Sequence, residues 1–251
     1  QAKIIESKGI HEVILTGVNI GDFGQNKSET FFDLMKALEE HTNIERYRIS
    51  SIEPNLLTLP MIEWVSKSKR FMPHFHIPLQ SGSDDVLRLM RRRYNTAMFR
   101  DKIDAVRSVM PDAGIGIDVI VGTPGELPQY FEQCYSFLES IDFTYLHVFS
   151  YSPRENTDAL AITPKVQERL IFDRSKLLHE LSDKKTRAFY IRNVGKQKVV
   201  LFEQKNDNGF IQGFTENYIK VSTPFNPKLI NHLCRVSLGN YVKNETLEAI
   251  L

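Results

Sequence analysis

Apolar residues fall in short blocks along the chain, and their spacing switches between two periods. Residues 11–16 (HEVILT) form a brief apolar run that stops at Gly17, which predicts a strand. Phe31, Leu34, Met35 and Leu38 then recur at helical spacing. Residues 44–51 (IERYRISS) set Ile44, Arg46 and Arg48 against Tyr47 and Ile49, the two-residue period of a strand. Met61, Trp64 and Val65 share one face of a second helix. Residues 74–83 (HFHIPLQSGS) read as a strand entering a polar loop. Ser83 is placed to cap the next helix, with Asp84 and Asp85 at its positive end, and that helix should reach about Arg93. Phe99, Ile103, Val106 and Met110 mark the following helix, residues 115–122 (IGIDVIVG) a strand, Pro128 the first turn of another helix, and residues 143–151 a fifth strand.

Strands that alternate with helices imply βαβ units and a parallel sheet with right-handed crossovers. Five strands are too few for a closed eight-stranded barrel. The pattern therefore predicts an α/β fold with an incomplete (β/α) barrel that lacks its first strand. The chain opens at Gln1 on what reads as the tail of a helix, which makes it look like a fragment. Thr163 and Pro164 suit the cap and first position of a long charged helix to about Arg192, with apolar positions at Val166, Leu170, Leu177, Leu181 and Phe189. From Gly195 the texture changes to short strands, with a hairpin signal at Asn208-Gly209, and a small all-β barrel is expected. The expected division is 1–164, a connecting helix 165–194, and 195–251.

Composition narrows the class. Hydrophobic residues are 41% and charged residues 25%, ordinary globular usage that argues against disorder. No run approaches the ~20 apolar residues of a membrane span, and no secretory signal is visible. The 2 cysteines, Cys134 and Cys234, can build neither a disulfide framework nor a four-ligand metal site, so the cytoplasm is the expected compartment. The net charge of +1 hides an asymmetry: residues 1–164 carry 17 Lys+Arg against 22 Asp+Glu, and residues 165–251 carry 15 against 9. A basic tail on an acidic body suits an anionic partner, most commonly nucleic acid.

In parallel α/β folds, ligands sit beyond the C-terminal ends of the strands. Here those ends are Thr16-Gly17-Val18-Asn19, Ser50-Ser51-Ile52-Glu53, Pro78-Leu79-Gln80-Ser81-Gly82-Ser83, Gly122-Thr123-Pro124-Gly125-Glu126 and Ser150-Tyr151-Ser152-Pro153-Arg154. Five polar or glycine-rich ends on one rim suggest a ligand site more strongly than any one of them. Gln80 and Ser81 can hydrogen-bond hydroxyls or a carboxylate, and Gly17 and Gly122 allow close backbone approach. Asp118 lies inside an apolar strand and must be paired or face a cavity, which marks it as a candidate functional group. Glu126 reads as a charge at a helix start, and Arg91-Arg92-Arg93 as a solvated face. His74 and His76 alternate on one strand; with no third ligand in view they read as core or hydrogen-bonded histidines, and no metal site is expected. In the tail, Phe210, Phe214, Tyr218 and Tyr241 are interleaved with Lys196, Lys220 and Lys243, a composition suited to base stacking and phosphate contact as well as to a small core.

Read together, TGVNIGDFG (16–24), RISSIEPNLL (48–57), PHFHIPLQSGSDDVLRLMRRRY (73–94), IGIDVIVGTPGE (115–126) and LHVFSYSPRENTDA (146–159) resemble the radical SAM domain of the MiaB-like methylthiotransferases. GFTENYIKV (213–221) resembles their C-terminal TRAM domain, a small RNA-binding β-barrel. The likeness covers nearly the whole chain and leans to the branch that acts on N6-threonylcarbamoyladenosine.

The resemblance implies an enzyme that adds a methylthio group to C2 of that nucleoside, in the anticodon stem-loop of tRNA. It implies S-adenosylmethionine and two 4Fe-4S clusters, one of them held by a C-x3-C-x2-C loop, together with an electron donor and a sulfur source. Carried over by position, Gly17, Asn19, Ser51, Glu53, Gln80, Ser81, Asp118, Val121, Phe149 and Ser150 would surround S-adenosylmethionine. Lys196, Phe214, Tyr218, Lys220 and Lys243 would meet RNA. No C-x3-C-x2-C occurs in these 251 residues, so the chain alone is expected to hold no cluster and perform no radical chemistry. The alternatives are a methylthiotransferase acting on isopentenyladenosine or on a ribosomal-protein aspartate, and a non-catalytic RNA-binding protein.

Overall fold

The computed structural model describes residues 1–25, 27–207, 209–242 and 246–251. After a short helix, α1 (Ala2–Glu6), come β1 (Glu12–Leu15), α2 (Phe31–His41), β2 (Arg46–Ile49), α3 (Leu59–Lys67), β3 (His74–His76), α4 (Asp84–Leu89), α5 (Thr96–Val109), β4 (Gly114–Val121), α6 (Pro128–Ser140) and β5 (Tyr145–Ser150). β1 pairs with β2, and β3 with β4 and β4 with β5, all parallel. The Tyr47–Phe71 bridge joins the two sheets. Strand order thus follows chain order with no reversal, the arrangement of a curved barrel wall and not of a doubly wound sheet.

Helix caps explain where several helices start. Thr30 and Asp33 form a reciprocal capping box at α2, and the Thr58 and Asn95 side chains accept the first-turn N–H groups of α3 and α5. α4 stops at Leu89, short of the expected Arg93, because Arg91 turns to φ +55° and ends the helical run. The helices bury Phe31, Met35, Met61, Val65, Phe99, Ile103, Phe131 and Leu138 against Phe75, Ile77, Ile115, Ile117 and Val119. Trp64 sits edge-on between Phe32 and Phe71.

The long helix α7 (Glu168–Ile191) begins later than its sequence suggests. Thr163 and Pro164 are joined by a cis peptide, and the Pro164 carbonyl accepts the Gly125 N–H at 2.8 Å, so this segment belongs to the rim turn. The buried face of α7 matches the expected one at Leu181 and Phe189 and differs at Leu170 and Leu177. Leu178, Leu181 and Phe189 turn inward with Arg174 and Ser182, while Leu170 and Leu177 are exposed. Polar pairing sets the rotation: Ser182 Oγ accepts the Leu146 N–H, Thr186 donates to the Thr144 carbonyl, and Arg174 meets Glu126. α7 thereby covers the outer edge of β5, whose backbone groups would otherwise stand unpaired.

β6 (Gln197–Asp207), β7 (Phe210–Thr215), β8 (Lys220–Pro224), β9 (Leu233–Val242) and β10 (Thr246–Ile250) close into a barrel in the order β10-β8-β7-β6-β9. Closure removes every sheet edge. Asn208 of the expected hairpin signal lies outside the described residues; β6 and β7 on either side are antiparallel, with Asp207 opposite Phe210. Alternate residues fill the interior: Val200 and Phe202, Ile211, Ile219 and Val221, Val236 and Leu238, Leu247 and Ala249, capped by Phe189 of α7. Of the tail aromatics singled out above, none is fully buried. Phe210 is exposed, and Phe214, Tyr218 and Tyr241 are half-buried.

Candidate functional site

Side chains alternate across each parallel strand, and the face away from the helices is polar. It carries Glu12, Arg46, Arg48, His74, His76, Asp118, Tyr145, His147 and Phe149, with Gly114 and Gly116 between them. Charged groups inside a wall of parallel strands are costly unless paired, and each finds a partner.

At the N-terminal end of the strands the partner is the small barrel. Arg46 donates to the carbonyls of Phe214 and Val199 at 3.1 and 2.6 Å. Arg48 donates to Glu216 and Thr215 carbonyls at 2.9 and 2.8 Å and to Glu12 at 2.9 Å. The turn Thr215-Glu216-Asn217-Tyr218 is built to receive them. Thr215 Oγ1 donates to Asn217 Oδ1 and accepts the Ile219 N–H, Glu216 accepts the Val199 N–H, and Asn217 donates to the Asp112 carbonyl. Tyr218 adopts φ +66° and stacks on His74 at 4.2 Å and on Phe214 at 4.7 Å, with Arg48 over its ring. Burial holds His74 well below the usual imidazole range, and the ring hydrogen-bonds Tyr145 at 2.9 Å.

One turn of strand nearer the rim, three side chains from three strands converge. His76 Nε2 lies 2.6 Å and His147 Nδ1 3.2 Å from the same oxygen of Asp118. Burial raises the Asp118 carboxyl, but hydrogen bonds from His147 and His76 outweigh it and bring the value down to about 2. The sequence reading left His76 without a third group; the fold supplies it from β5. These nitrogen and oxygen atoms lie within 4.8 Å of one another, close enough for one cation.

The rim itself assembles in part. Asn19 donates to Asp22 at 2.5 Å, Glu53 pairs with Arg92 at 3.3 Å, and both line a cleft of about 270 Å³ with Arg91 and Arg93. The arginine run is therefore at the rim and not on a helix face. A Cβ at Gly17 would meet Ile20 first, at 3.6 Å, and Ser51 at the end of the second strand is half-buried. Gln80 is held at φ +71° by bonds from its N–H to Asp118 and to its carbonyl from Ile120, a left-handed conformation rare for a side-chain-bearing residue. Phe149 and Ser150 are exposed at the end of β5.

Two expected ligand contacts point elsewhere. Val121 is three residues from Asp118, so the strand period turns it to the helix side, where it is buried in the core. The Ser81 side chain is also buried, accepting the Ser83 N–H at 3.2 Å beneath the rim. Glu126 is a buried clamp: its carboxylate accepts the Gly122 N–H at 2.6 Å and meets Arg174 at 2.7 Å.

The expected RNA residues divide similarly. Lys196 is tied to Asp112 at 2.5 Å and Tyr218 is part of the stacked column. Phe214 and Lys220 line a cleft of about 410 Å³ that runs to Tyr145 and His147. Lys243 lies outside the described residues.

Residues 1–138 match the model of the radical SAM superfamily. The chain belongs to that superfamily. It is similar to the threonylcarbamoyladenosine tRNA methylthiotransferase MtaB of Aquifex aeolicus, 35% identical over 221 aligned positions that cover 88% of this chain and 53% of the relative. The Bacillus subtilis MtaB is 32% identical across 98% of this chain and 56% of its own length. A tRNA-2-methylthio-N(6)-dimethylallyladenosine synthase of Kineococcus radiotolerans is 36% identical over 74% of this chain and 37% of its own length. Among solved structures, coproporphyrinogen III oxidase HemN of Escherichia coli aligns with a TM-score of 0.44 at 16% identity, over 72% of this chain and 40% of that one. The chain spans about half the length of the curated MtaB relatives it matches.

Radical SAM chemistry uses a 4Fe-4S cluster, and the cysteines of this chain do not fit one. Cys134 is buried on α6, where its sulfur accepts the Gly82 N–H at 3.0 Å and burial pushes the thiol up to about 12. Cys234 is on β9 of the small barrel. The rim is a better match to S-adenosylmethionine, offering backbone at Gly17, a left-handed Gln80, the exposed ring of Phe149, and the side chains of Asn19 and Glu53.

Sequence reasoning missed Arg46, Arg48, His147 and Asn217. Two arginines on one face of a strand flanked by apolar neighbours were a usable signal, since parallel strands are ordinarily apolar on both faces. His147 and Asn217 gave none, because their partners are about 30 and 105 residues away in the chain.

Proposed function

We propose that this chain is the S-adenosylmethionine-holding and RNA-facing part of a methylthiotransferase that modifies C2 of N6-threonylcarbamoyladenosine in the anticodon stem-loop of tRNA. The observation that carries the reading is the similarity to MtaB proteins across 85–98% of this chain. The polar rim above the inner face agrees with it.

In this reading Gly17, Asn19, Ser51, Glu53, Gln80, Phe149 and Ser150 surround S-adenosylmethionine, with Val121 and Ser81 contributing backbone only. Phe214 and Lys220 meet RNA along the cleft that His147 also lines. A cluster held by residues other than these would supply the electron for the radical chemistry. The two cysteines here do not provide its ligands, so this chain by itself holds no cluster and is inactive. The residues of this chain bind, orient and exclude water around the reacting groups. The electron donor and sulfur source act from outside it, and the cytoplasm, where tRNA is modified, is its place. No helix among the described residues is long and apolar enough to cross a membrane.

A second reading, the dimethylallyl nucleoside as substrate, is favoured by relatives such as the Kineococcus synthase. Nucleoside mass analysis separates the two. Cells lacking the gene receive either the full-length gene or this chain alone. Restoration of 2-methylthio-N6-threonylcarbamoyladenosine by the full-length gene only is the expected result. Gain of the methylthio dimethylallyl nucleoside instead selects the second reading. Restoration by this chain alone overturns its proposed inactivity.

A further inference from the structure

The inner face holds a group whose chemistry separates the two substrates. One oxygen of Asp118 is hydrogen-bonded to His76 Nε2 at 2.6 Å and lies 3.2 Å from His147 Nδ1, an ion-pair contact. Each ring therefore has its second nitrogen directed away from the carboxylate. The rings cross edge to face at 5.1 Å, and Tyr145 and Phe149 pack beside His147 at 5.2 and 6.5 Å, which fixes the orientation of its ring. The His76 side chain is 18% exposed and that of His147 49%, so His147 is the ring that meets a ligand.

Its position is between the two proposed contact regions. Phe149, the next inner-face residue on β5, belongs to the rim. His147 also lines the cleft that holds Phe214, Tyr218 and Lys220, together with His179 and Asp183 of α7. Among the described residues of the inner face, the other cations are committed. Arg46 and Arg48 spend their guanidinium groups on barrel carbonyls and Glu12, and His74 is kept neutral by burial.

We propose that His147, oriented by Asp118, binds the carboxylate of the threonylcarbamoyl group and so sets the preference for that substrate over an uncharged N6 substituent. This rests on the substrate reading above. A His147 ring carrying both protons would turn Nδ1–H toward Asp118 and donate Nε2–H to the incoming carboxylate, a charge-assisted hydrogen bond that a dimethylallyl group does not make. The site disfavours the uncharged substituent because the His147 nitrogen turned away from Asp118 would be partly desolvated without a partner.

The test uses the full-length protein and an anticodon stem-loop carrying N6-threonylcarbamoyladenosine, either as the free acid or as its methyl ester. The wild type should bind the acid about tenfold more tightly at one fixed salt concentration, as one charge-assisted contact implies. His147→Gln and Asp118→Asn should bring acid and ester within about twofold, a ratio that general unfolding does not move. Equal binding of acid and ester by the wild type, which needs no variant, overturns the inference, as does an unchanged preference in His147→Gln. If the wild type makes the methylthio nucleoside yet binds both forms equally, the inference alone falls. If it makes none, the substrate reading falls and takes the inference with it.

Discussion

Arg48 donates to the Thr215 carbonyl at 2.8 Å, joining the second strand of the parallel wall to a turn 167 residues later. The contact is buried, and the same guanidinium meets the Glu216 carbonyl and Glu12. One side chain thus ties the small barrel to the N-terminal end of the strands at two carbonyls, beside the contacts of Arg46, Asn217 and Lys196. Removing Arg48 leaves those two carbonyls without their partner and, among the described residues, Glu12 with Arg46 alone. Arg48→Ala should lower stability by about 3–5 kcal/mol, read as a shift in urea midpoint. Protease sensitivity should appear first around residues 213–221. Arg48→Lys should not restore the wild-type midpoint, since an ammonium lacks the planar fork.

Gly114 tests the same junction without touching a charge. A Cβ there would come 2.4 Å from the Asn217 carbonyl oxygen and 3.1 Å from the His74 ring. Backbone on one side and a stacked ring on the other leave little room to give. Gly114→Ala should cost about 1–3 kcal/mol through overpacking. It should also raise hydrogen exchange in the 215–218 turn. Unchanged exchange there would mean that the barrel is held elsewhere.

The junction also shows what was legible in the sequence. The five parallel strands, their crossover helices and the five-stranded barrel follow from local periodicity, because each element buries one apolar face. Tyr218 was legible only as an aromatic beside lysines, and that composition equally suits base stacking or an internal stack. The structure puts its ring against His74, a partner 144 positions away. Val121 is carried over by position with Asp118 from the resemblance, and strand parity turns the two side chains to opposite faces, so only the Val121 backbone faces the rim side. Asp118 itself was readable, since a carboxylate within an apolar strand demands a partner; that His147 provides one depends on the β4–β5 register, which pairs those two residues directly.

Cys134 reports on the rim turn from below. Its thiol is buried, accepts the Gly82 N–H, and is pushed up to about 12. Little thiolate exists at neutral pH, so an alkylating reagent should leave it unmodified in the folded protein. Half-buried Cys234 should react first. Mass spectrometry of peptides after timed exposure to iodoacetamide distinguishes the two. Cys134 labelling should follow the urea unfolding curve; labelling at the Cys234 rate under native conditions would show that the turn opens locally.

Asp118 should make stability depend on acid pH. Its carboxyl is held near about 2, below the ordinary 3.8. A depressed carboxyl stabilises the fold fully above the unfolded value, and that contribution disappears as pH falls through the folded one. Its size is on the order of 2 kcal/mol. Asp118→Asn should therefore be less stable than the wild type at pH 7, with the gap closing between about pH 4 and pH 2. Urea midpoints of both proteins across that range give the answer; a gap that stays constant would place the loss in packing.

Lys220 and Lys196 should respond differently to RNA, although both are lysines of the basic tail. Lys196 is bound to Asp112 at 2.5 Å, so its charge is already matched within the chain. Lys220 lines the cleft beside Phe214, where a phosphate can reach it. In the full-length protein, Lys220→Ala should weaken tRNA binding at low salt and reduce the slope of log affinity against log salt by about 1. Lys196→Ala should leave that slope unchanged and lower the unfolding midpoint instead. Phe214→Ala should weaken binding by about 1–3 kcal/mol if a base stacks there, with no change in slope. Equal slopes for all three variants would move the RNA contact away from this cleft.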